Sequence, residues 1–496
     1  MSYYLAFDVG TTTMKSILFD DHFNDVVKYS EEYFLITSKE SIVTLNPEIY
    51  YDVFKKSIFN LRDKGVDFKK IKSITFTTQG ETFIPIGRDG NVLNDAIIWL
   101  DSRAEKEASY IKKNIILDDF YSKTGLSDID GTLPAAKILW IYNNNRKLYD
   151  ETYKFLLLED YLIYRVTGKI VSEKSLQSST GWYDIVNDCY YDTILSLCNI
   201  DKEKLPDIVS CGQKIGTLCK EAINDTGLDE NTVVVSGAMD QIASAIGAGN
   251  INEGIVTETT GTALVIAATV DKPDFKLNPK ITIYKHYNNK YLYIPFCRTA
   301  GIVLKWFKDT MMTELNDVFE KTGKTAYEII DDYAKKSNVG SNGVVCVPNF
   351  SGSDKYENST GCFLGLTLNT GKEDLSRSVL EGIGYMLKEK IDILTKTGIN
   401  VSEICSLGGG AYSDIWCEIK ASICNLPLVR YSQTQSTALG AAILGAVGVG
   451  EFLDVSEALK NINSKKIVTK QNLSHTKQYE ELYWKFISIQ DILFNN

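Results

Sequence analysis

The sequence predicts an α/β protein with two domains, each built on a mixed sheet, and a central cleft between them. Three observations predict this architecture. The chain has 496 residues, and single hydrophobic cores stop growing at roughly 250–300 residues. A strand–Gly-Thr–strand pattern opens the chain at 3–19 and recurs at 254–268. Helical and strand periodicities alternate after both copies. We therefore expect an internal duplication, with domains at 1–248 and 249–496.

The opening hairpin is the first candidate ligand site. Its apolar runs, 3–7 and 16–19, are rich in aromatic and branched residues, as strands are. Gly10 can adopt positive φ and let backbone N–H groups converge on an anion, while Thr11, Thr12 and Thr13 add hydroxyls and Lys15 adds a cation. Asp8 faces the same tip, where a magnesium ion would bridge it to a phosphate. An ordinary surface turn is the alternative interpretation.

The first half continues as alternating helices and strands with polar strand ends. Periodicity predicts a helix over 47–62, strands over 71–77, 83–86, 96–101 and 233–240, largely helical structure over 104–165, and a helix of small residues over 241–249. Ligands of α/β domains bind at strand ends. The polar residues at these ends are therefore candidate ligand-binding positions.

The second half repeats the hairpin in weaker form and adds a glycine-rich turn. Gly261 and Thr262 occupy the turn of the repeated hairpin. Later elements are strands near 291–296, 343–348 and 404–407 and amphipathic helices from Asp374 and from Ile415. The segment 408–414 joins the last of these strands to a helix. Bare backbone at a helix N-terminus suits a phosphate or a ribose.

Composition and charge exclude several classes of function. The net charge of −11 argues against a nucleic-acid partner, which would need a basic face. The longest run of small and apolar residues, 437–450, is too short to span a bilayer and predicts a buried helix and its exit. Ten singly scattered cysteines are typical of free thiols in a reducing cytoplasm. We therefore expect a cytoplasmic protein without a membrane partner, and the spacing of the three histidines argues against zinc.

Taken singly, these motifs have simpler interpretations. Gly323-Lys324-Thr325 suggests a P-loop, but Val318 stands where the first glycine should be, so we reject it. A glycine cluster before a helix is often a packing turn, and a lone acid such as Asp240 is often a helix N-cap. The combination of two Gly-Thr hairpins, a glycine-rich turn and an acid at a strand end favours a ligand site.

The same segments resemble the FGGY carbohydrate kinases, the family of glycerol kinase, xylulokinase and gluconokinase. The resemblance covers nearly the whole chain in the right order and rests on the phosphate motif 8–13, the catalytic-aspartate segment 237–241, the second family signature at 361–366 and 374–381, the adenosine motif 409–413, and the N-domain segments 165–168 and 180–184. The first family signature, around Pro134, Lys137 and Trp140, is met only in part. The resemblance implies the two-domain actin-like ATPase (ribonuclease H-like) fold, with sugar bound by 1–248 and ATP by 249–496.

The resemblance also implies roles for individual residues. Asp240 is expected to be the base that accepts the proton of the sugar hydroxyl, and Asp8 and Asp240 are expected to hold magnesium (Mg2+). An aspartate with a pKa near 3.9 is ionised at neutral pH and can take that proton. The residues expected to contact ATP are Thr11, Thr12, Thr13, Lys15, Gly261, Thr262, Gly301, Gly409, Gly410 and Asp414.

The substrate pocket is expected around the strand ends of the first half. Its candidates are Gln79, Glu81, Trp99, Asp101, Arg103, Asp240 and Gln241. Glycerol kinases have Arg-Glu after the glutamine and xylulokinases have Met-His-Gly, whereas this sequence has Gly80 and Glu81. Core packing and a surface ion pair are the alternatives for Trp99 and Arg103. Glu81 is the strongest candidate, because a carboxylate accepts two vicinal hydroxyls well.

We therefore predict an ATP- and Mg2+-dependent kinase that phosphorylates a primary hydroxyl of a small sugar, with a ketopentose as the first hypothesis. A glycerol- or erythritol-type polyol kinase and a gluconokinase are the alternatives. An actin-like ATPase acting as a chaperone or filament subunit shares the architecture, but it gives no reason for Glu81 or for the second signature. Kinases of this family are often homodimers, although the sequence itself does not indicate the oligomeric state.

Overall fold

The computed structural model describes residues 2–38, 41–277, 280–316, 318–353, 355–356, 358–432 and 435–494. The chain forms two compact units. The first comprises Met1–Ile251, Asp271–Leu292 and Gln435–Asn463, and the second comprises Asn252–Val270, Tyr293–Thr434 and Ser464–Asn496. Two segments that the predicted boundary at 248/249 assigns to the second domain therefore pack within the first unit. The division of roles between 1–248 and 249–496 stays a prediction.

The first half of the chain alternates strands and helices. Its strands are β1 (Tyr3–Val9), β2 (Thr13–Phe19), β3 (Asp25–Glu32), β4 (Ile36–Ser38), β5 (Ile42–Leu45), β6 (Ile71–Thr78), β7 (Phe83–Ile86), β8 (Ala96–Ile97), β9 (Lys154–Leu157), β10 (Val171–Glu173), β11 (Tyr183–Asp184), β12 (Cys189–Tyr190), β13 (Asp207–Val209), β14 (Lys214–Thr217) and β15 (Val233–Met239). Its helices are α1 (Glu48–Asp63), α2 (Glu105–Asn114), α3 (Leu117–Thr124), α4 (Pro134–Asn144), α5 (Arg146–Glu151), α6 (Leu158–Thr167), α7 (Lys174–Gln177), α8 (Asp192–Leu197), α9 (Lys220–Thr226) and α10 (Asp240–Gly247).

The second half follows the same alternation. Its strands are β16 (Ile255–Thr260), β17 (Leu264–Val270), β18 (Thr282–Lys285), β19 (Tyr291–Ile294), β20 (Phe296–Cys297), β21 (Val345–Val347), β22 (Cys362–Leu364), β23 (Glu403–Leu407), β24 (Leu428–Tyr431) and β25 (Lys466–Thr469). Its helices are α11 (Gly301–Met311), α12 (Val318–Thr322), α13 (Ala326–Lys336), α14 (Lys372–Lys396), α15 (Asp414–Cys424), α16 (Ser436–Gly448), α17 (Val455–Lys460) and α18 (Leu473–Phe494).

The central sheet of the first unit has the strand order β3-β2-β1-β6-β15-β14. Strand β1 is antiparallel to β2 and parallel to β6, β6 is parallel to β15, and β14 is antiparallel to β15. The inner strands are almost continuously buried, as strands covered on both faces are. On one face, the rings of Phe7, Phe54 and Phe76 lie within 5.9 Å of each other. The parallel strands all end at one edge, where ligands of such sheets bind.

The sheet of the second unit repeats this topology in the order β17-β16-β23-β24-β25. Strand β16 is antiparallel to β17 and parallel to β23, β23 is parallel to β24, and β25 is antiparallel to β24. Strands β16, β23 and β24 therefore correspond in order and direction to β1, β6 and β15. The predicted duplication of mixed sheets is confirmed.

Most elements predicted from periodicity are confirmed, and two details are informative. The strand predicted over 96–101 covers only Ala96–Ile97, because the Trp99 N–H donates to the hydroxyl of Thr82 (3.0 Å) and the chain turns there. Thr325, rejected as part of a P-loop, is the N-cap of α13 in a capping box with Glu328. In the described part of the chain, no helix is long and apolar enough to cross a membrane.

Candidate active site

Asp240 is the first residue of α10 and follows β15 directly. Its Oδ1 accepts the backbone N–H of Gln241 at 2.6 Å. Burial, and after it the negative charge of Asp8, raises the pKa of Asp240 to about 7. A carboxylate whose pKa lies near neutrality is suited to accept a proton from an alcohol.

Asp8 comes from the neighbouring part of the same sheet edge. Its Cα pairs with that of Thr77 on β6, which in turn pairs with Ala238 on β15. Burial raises the pKa of Asp8, and the ammonium of its cross-strand neighbour Lys15 opposes that shift. The described residues contain no cluster of three or more His, Cys, Asp or Glu side chains that could hold a metal. Two carboxylates nevertheless fit Mg2+, which binds through one or two carboxylates plus substrate phosphates.

The hairpin tip contacts the predicted substrate pocket. The N–H of Gly10 donates to the carbonyl of Thr13 at 2.9 Å and closes the turn. The hydroxyl of Thr11 donates to Gln79 Oε1 (2.7 Å) and accepts Trp99 Nε1–H (2.9 Å). The structure thus joins a residue predicted to contact ATP with two predicted to contact the sugar.

Gln79 and Trp99 differ in how deeply they are buried. Gln79 is buried, and its Nε2 has no hydrogen-bond partner among the described residues. Trp99 is 39% exposed, so it is not the core residue of the alternative interpretation. Gln79 therefore offers two N–H donors to a ligand at this edge.

Glu81, in the loop after β6, and Lys137, in α4, influence each other's charge. Glu81 has φ +65°, a left-handed conformation that is uncommon for a non-glycine residue and is often found at functional sites. Burial raises the pKa of Glu81 and lowers that of Lys137, and the charge of each partner opposes the shift of the other. Sequence reasoning placed Lys137 only in the partial first signature and missed its relation to Glu81.

Asp101 and Arg103 bind each other. The buried Asp101 accepts Arg103 Nε–H at 2.8 Å and Nη2–H at 2.6 Å, and it also accepts the backbone N–H of Val43 at 2.7 Å. The guanidinium lies 5.1 Å from the ring centroid of Trp140. These contacts fix the loop after β8, and a direct contact of either residue with a sugar stays a prediction.

In the second unit, the repeated hairpin and the start of α11 lie against each other. A Cβ on Gly301 would lie 2.4 Å from the carbonyl oxygen of Gly261, so only glycine permits this approach. The N–H of Ala300 donates to the carbonyl of Thr262 at 2.9 Å. The predicted phosphate-binding residues Gly261, Thr262 and Gly301 are therefore brought together beside a helix N-terminus.

The glycine-rich turn lies against the end of β16. A Cβ on Gly410 would lie 2.9 Å from Thr260 Cβ, whereas one on Gly409 would meet nothing within 4 Å. Asp414 is exposed and pairs with Arg430, whose Nη1–H donates to the carbonyl of Ala411 at 2.7 Å. One face of the turn is thus packed, and the face at Gly409 is open.

A buried ion pair below this turn was missed by sequence reasoning. Lys420 and Glu258 are both fully buried, with Nζ–H donating to Oε1 at 2.7 Å. Lys420 also donates to the hydroxyl of Thr260 (2.8 Å), and Ser406 donates to Glu258. Lys420 lies between Ile419 and Ala421 on a core-facing stretch of α15, and an ionisable residue at such a position was the available signal.

The comparison with known families decides the class of this protein. The N-terminal domain of the FGGY family of carbohydrate kinases matches residues 3–247, and the C-terminal domain of that family matches residues 255–449. The chain belongs to the FGGY family of carbohydrate kinases. It is a phosphotransferase, which confirms the predicted enzyme class and disfavours the chaperone or filament alternative.

FGGY relatives resemble the chain over its whole length. It is 29% identical over 501 residues to the xylulose kinase of Staphylococcus xylosus, covering 99% of this chain and 100% of the relative. It is 27% identical over 498 residues to the gluconokinase of Bacillus subtilis, covering 100% and 96%. A solved structure of ligand-bound xylulose kinase from Lactobacillus acidophilus has a TM-score of 0.90 at 27% identity, covering 99% and 98%. The predicted two-domain actin-like fold is confirmed.

Proposed function

We propose that this FGGY kinase transfers the γ-phosphoryl group of ATP to a primary hydroxyl of a small neutral sugar, with a ketopentose such as xylulose as the first candidate. The observation that carries the proposal is the convergence of Asp8, Gln79 and Asp240 at the ends of the adjacent strands β1, β6 and β15. Such an edge is where a polar substrate meets oriented side chains.

Asp240 is the proposed base. The sugar hydroxyl donates its proton to the Asp240 carboxylate as the hydroxyl oxygen bonds to the γ-phosphorus and ADP departs. Phosphoryl transfer asks the protein mainly for positioning and charge stabilisation. When Mg2+ is bound, Asp8 and Asp240 are the residues that would hold it, and the ion would offset the negative charge of the ATP phosphates.

The proposed ATP contacts comprise mainly backbone and hydroxyl groups. Gly261, Thr262 and Gly301 supply a turn and a helix N-terminus for phosphates, and the open face at Gly409 suits the adenosine. The other proposed contacts are Thr11, Thr12, Thr13, Lys15, Gly410 and Asp414. The proposal requires that these residues and Asp240 act in one reaction.

The charged side chains in and around the proposed sugar-binding site favour a neutral sugar over gluconate. Arg103 is occupied by Asp101 through two hydrogen bonds. Lys137 is fully buried and donates to the carbonyls of Ile98 (2.9 Å) and Trp99 (3.4 Å). A carboxylate on the substrate would therefore meet Glu81 and Asp240 without an uncommitted cation from this set, at a cost in like-charge repulsion.

A coupled ADP-release assay over D-xylulose, D-ribulose, glycerol, erythritol and gluconate tests this proposal. We expect the highest kcat/KM with a ketopentose and phosphorylation of its primary hydroxyl, identified by NMR of the product. Faster turnover of gluconate would show that the charge argument is wrong, and faster turnover of glycerol or erythritol would establish a polyol kinase. Absence of sugar-stimulated ADP release with the whole panel would contradict the proposal.

A further inference from the structure

Strand β15, which leads directly to Asp240, is no longer paired with β14 over its last residues. Strand β14 pairs with β15 only from Val233 to Val235. The register of β15 against β6 shifts between Val235 and Ala238. Such a bulge disrupts the ladder locally and re-aims the residues that follow. The last residues before Asp240 therefore need hydrogen-bond partners from outside the sheet.

Two side chains supply those partners. Glu159 Oε1 accepts the N–H of Gly237 at 2.6 Å, and the hydroxyl of Ser175 accepts the N–H of Met239 at 2.9 Å. Met239 immediately precedes Asp240. Glu173 in turn binds Ser175. We call Glu159, Ser175 and Glu173 the edge clamp, because together they hold the end of β15 that β14 leaves unpaired.

The edge clamp is itself fixed and buried. Glu173 Oε2 accepts the hydroxyl of Ser175 and the backbone N–H groups of Ser175 (2.7 Å) and Leu176 (3.3 Å). Glu159, Ser175 and Glu173 are each no more than 3% exposed. The hydroxyl of Ser175 is thus oriented by Glu173 so that its lone pair faces Met239.

Strand β6 confines the other side of the same peptide segment. A Cβ on Gly237 would lie 1.7 Å from the carbonyl oxygen of Phe76, so the chain touches β6 as closely as glycine allows. The segment is held between β6 and the edge clamp. Loss of one clamp bond leaves room for movement only away from β6, which would carry Asp240 with it.

We propose that Glu159, Ser175 and Glu173 are positioning residues that set the location of the Asp240 carboxylate. The proposal rests on the proposed role of Asp240 as base. Each clamp residue acts through the backbone of β15 and touches no reacting atom. A displacement of about 1 Å at a reacting group can cost about 100-fold in rate.

Paired variants separate positioning from ordinary stability. Ser175→Ala removes the acceptor for Met239, and Glu159→Met removes the acceptor for Gly237 at similar size. Glu159→Gln is the conservative variant, because it keeps an oxygen acceptor and matches a carboxyl whose pKa burial raises well above its ordinary value. Ser57→Ala is the matched control, because Ser57 is an equally buried serine whose hydroxyl donates to Ser16 (2.6 Å) instead of binding β15.

The readouts are kcat, both KM values, Tm, and amide hydrogen exchange over 233–241, with ATP and the best sugar of the panel. We expect Ser175→Ala and Glu159→Met to lower kcat about 10- to 100-fold. We expect KM for ATP to stay within about threefold, because the proposed contacts with ATP are made by residues outside the edge clamp and β15. Amide exchange over 233–241 should be faster in Ser175→Ala and Glu159→Met than in the wild type. Glu159→Gln should have a kcat within about threefold of the wild-type value, and Ser57→Ala should have the wild-type kcat.

Three results would overturn the proposal: kcat in both clamp variants no lower than in Ser57→Ala, equal kcat losses in Glu159→Gln and Glu159→Met, or unchanged exchange over 233–241. Should a clamp variant fail to fold, the Glu159→Gln kinetics and the exchange of Ser175→Thr still decide. Asp240→Asn separates the two levels of the account. If it abolishes turnover while the clamp variants keep theirs, only the positioning proposal fails, whereas an active Asp240→Asn enzyme contradicts the base itself.

Discussion

The two central sheets share one topology but end in different chemistry. In the first unit, β1, β6 and β15 lead to Asp8, Gln79 and Asp240. In the second unit, the corresponding β16 ends in two threonines and β23 leads into the turn at 408–410. The same strand positions thus carry acids and an amide in one unit and hydroxyls and bare backbone in the other.

The acidic side chains of the two sheets differ in their burial and in their charged neighbours. Asp8 and Asp240 are both half-buried. Burial, and after it the charge of Asp8, raises the pKa of Asp240. Burial also raises the pKa of Asp8, and the charge of the exposed Lys15 opposes that shift. Glu258, in the second hairpin, is fully buried and neutralised by Lys420. A duplicated fold can therefore divide one reaction, with proton transfer and metal binding proposed for one copy and adenosine binding for the other.

The largest expected effect contrasts two acids that each begin a helix, Asp240 in α10 and Asp414 in α15. Asp240→Asn is expected to lower kcat about a thousandfold, because loss of general-base catalysis typically costs 100- to 10,000-fold. Asp414→Asn is expected to keep kcat within about threefold and to change mainly KM for ATP. Steady-state kinetics with the best sugar measure both. Wild-type-like turnover by Asp240→Asn would sink the assignment of the base.

The next largest expected effect concerns Glu258 of the second sheet, which pairs with Lys420. Lys420→Met leaves Glu258 buried without its cation and is expected to destabilise the protein by about 3–5 kcal/mol. Lys305→Met is the control, because its pair with Asp309 is exposed to solvent and such pairs contribute little to stability. Urea unfolding measures both, and the Glu258→Gln/Lys420→Met double variant should recover part of the loss. Equal destabilisation by the two lysine variants would refute the structural role of Lys420.

The smallest expected effect is the pH dependence of stability in the first unit. Burial, followed by the charge of Asp8, raises the folded pKa of Asp240 to about 7, so folding favours its protonated form. That contribution is fully present below the unfolded pKa near 3.9 and is lost as pH rises through about 7. In EDTA, the Tm of the wild type should therefore fall by a few degrees relative to Asp240→Asn between pH 5.5 and 8.5. Parallel Tm curves would contradict this linkage.

Sequence reasoning recovered the fold because hairpins, periodic helices and strand ends are local signals. The hairpins at 3–19 and 254–268 and the helix from Asp374 needed no long-range information. The placement of 435–463 in the first unit could not be read in the same way, because a buried helix of small residues carries no mark of which sheet it covers. Its contact, with Gly440 against the carbonyl of Ala243, depends on residues far apart in the chain.

The candidate site shows the same limit. Asp240 and Gln79 were named from the resemblance to the FGGY kinases, and Glu81 from its place after a predicted strand; both signals are visible in sequence. The pairing of Glu81 with Lys137, the bond from Thr11 to Gln79 and the acceptor role of Glu159 join distant segments. Such contacts are set by tertiary packing. Their only signal in the sequence was an ionisable residue among apolar neighbours.

The division of labour between the two sheets is tested most directly by KM for each substrate in Glu81→Gln and Gly409→Ala. Gly409→Ala meets no atom within 4 Å of its new Cβ, so any change in its kinetics reports on the bound nucleotide. We predict that Glu81→Gln raises KM for the sugar about tenfold or more and leaves KM for ATP within about twofold, since losing a charged hydrogen bond costs about 1.5–3 kcal/mol. Gly409→Ala should do the reverse. An increase in KM for ATP with Glu81→Gln, or in KM for the sugar with Gly409→Ala, would contradict the account.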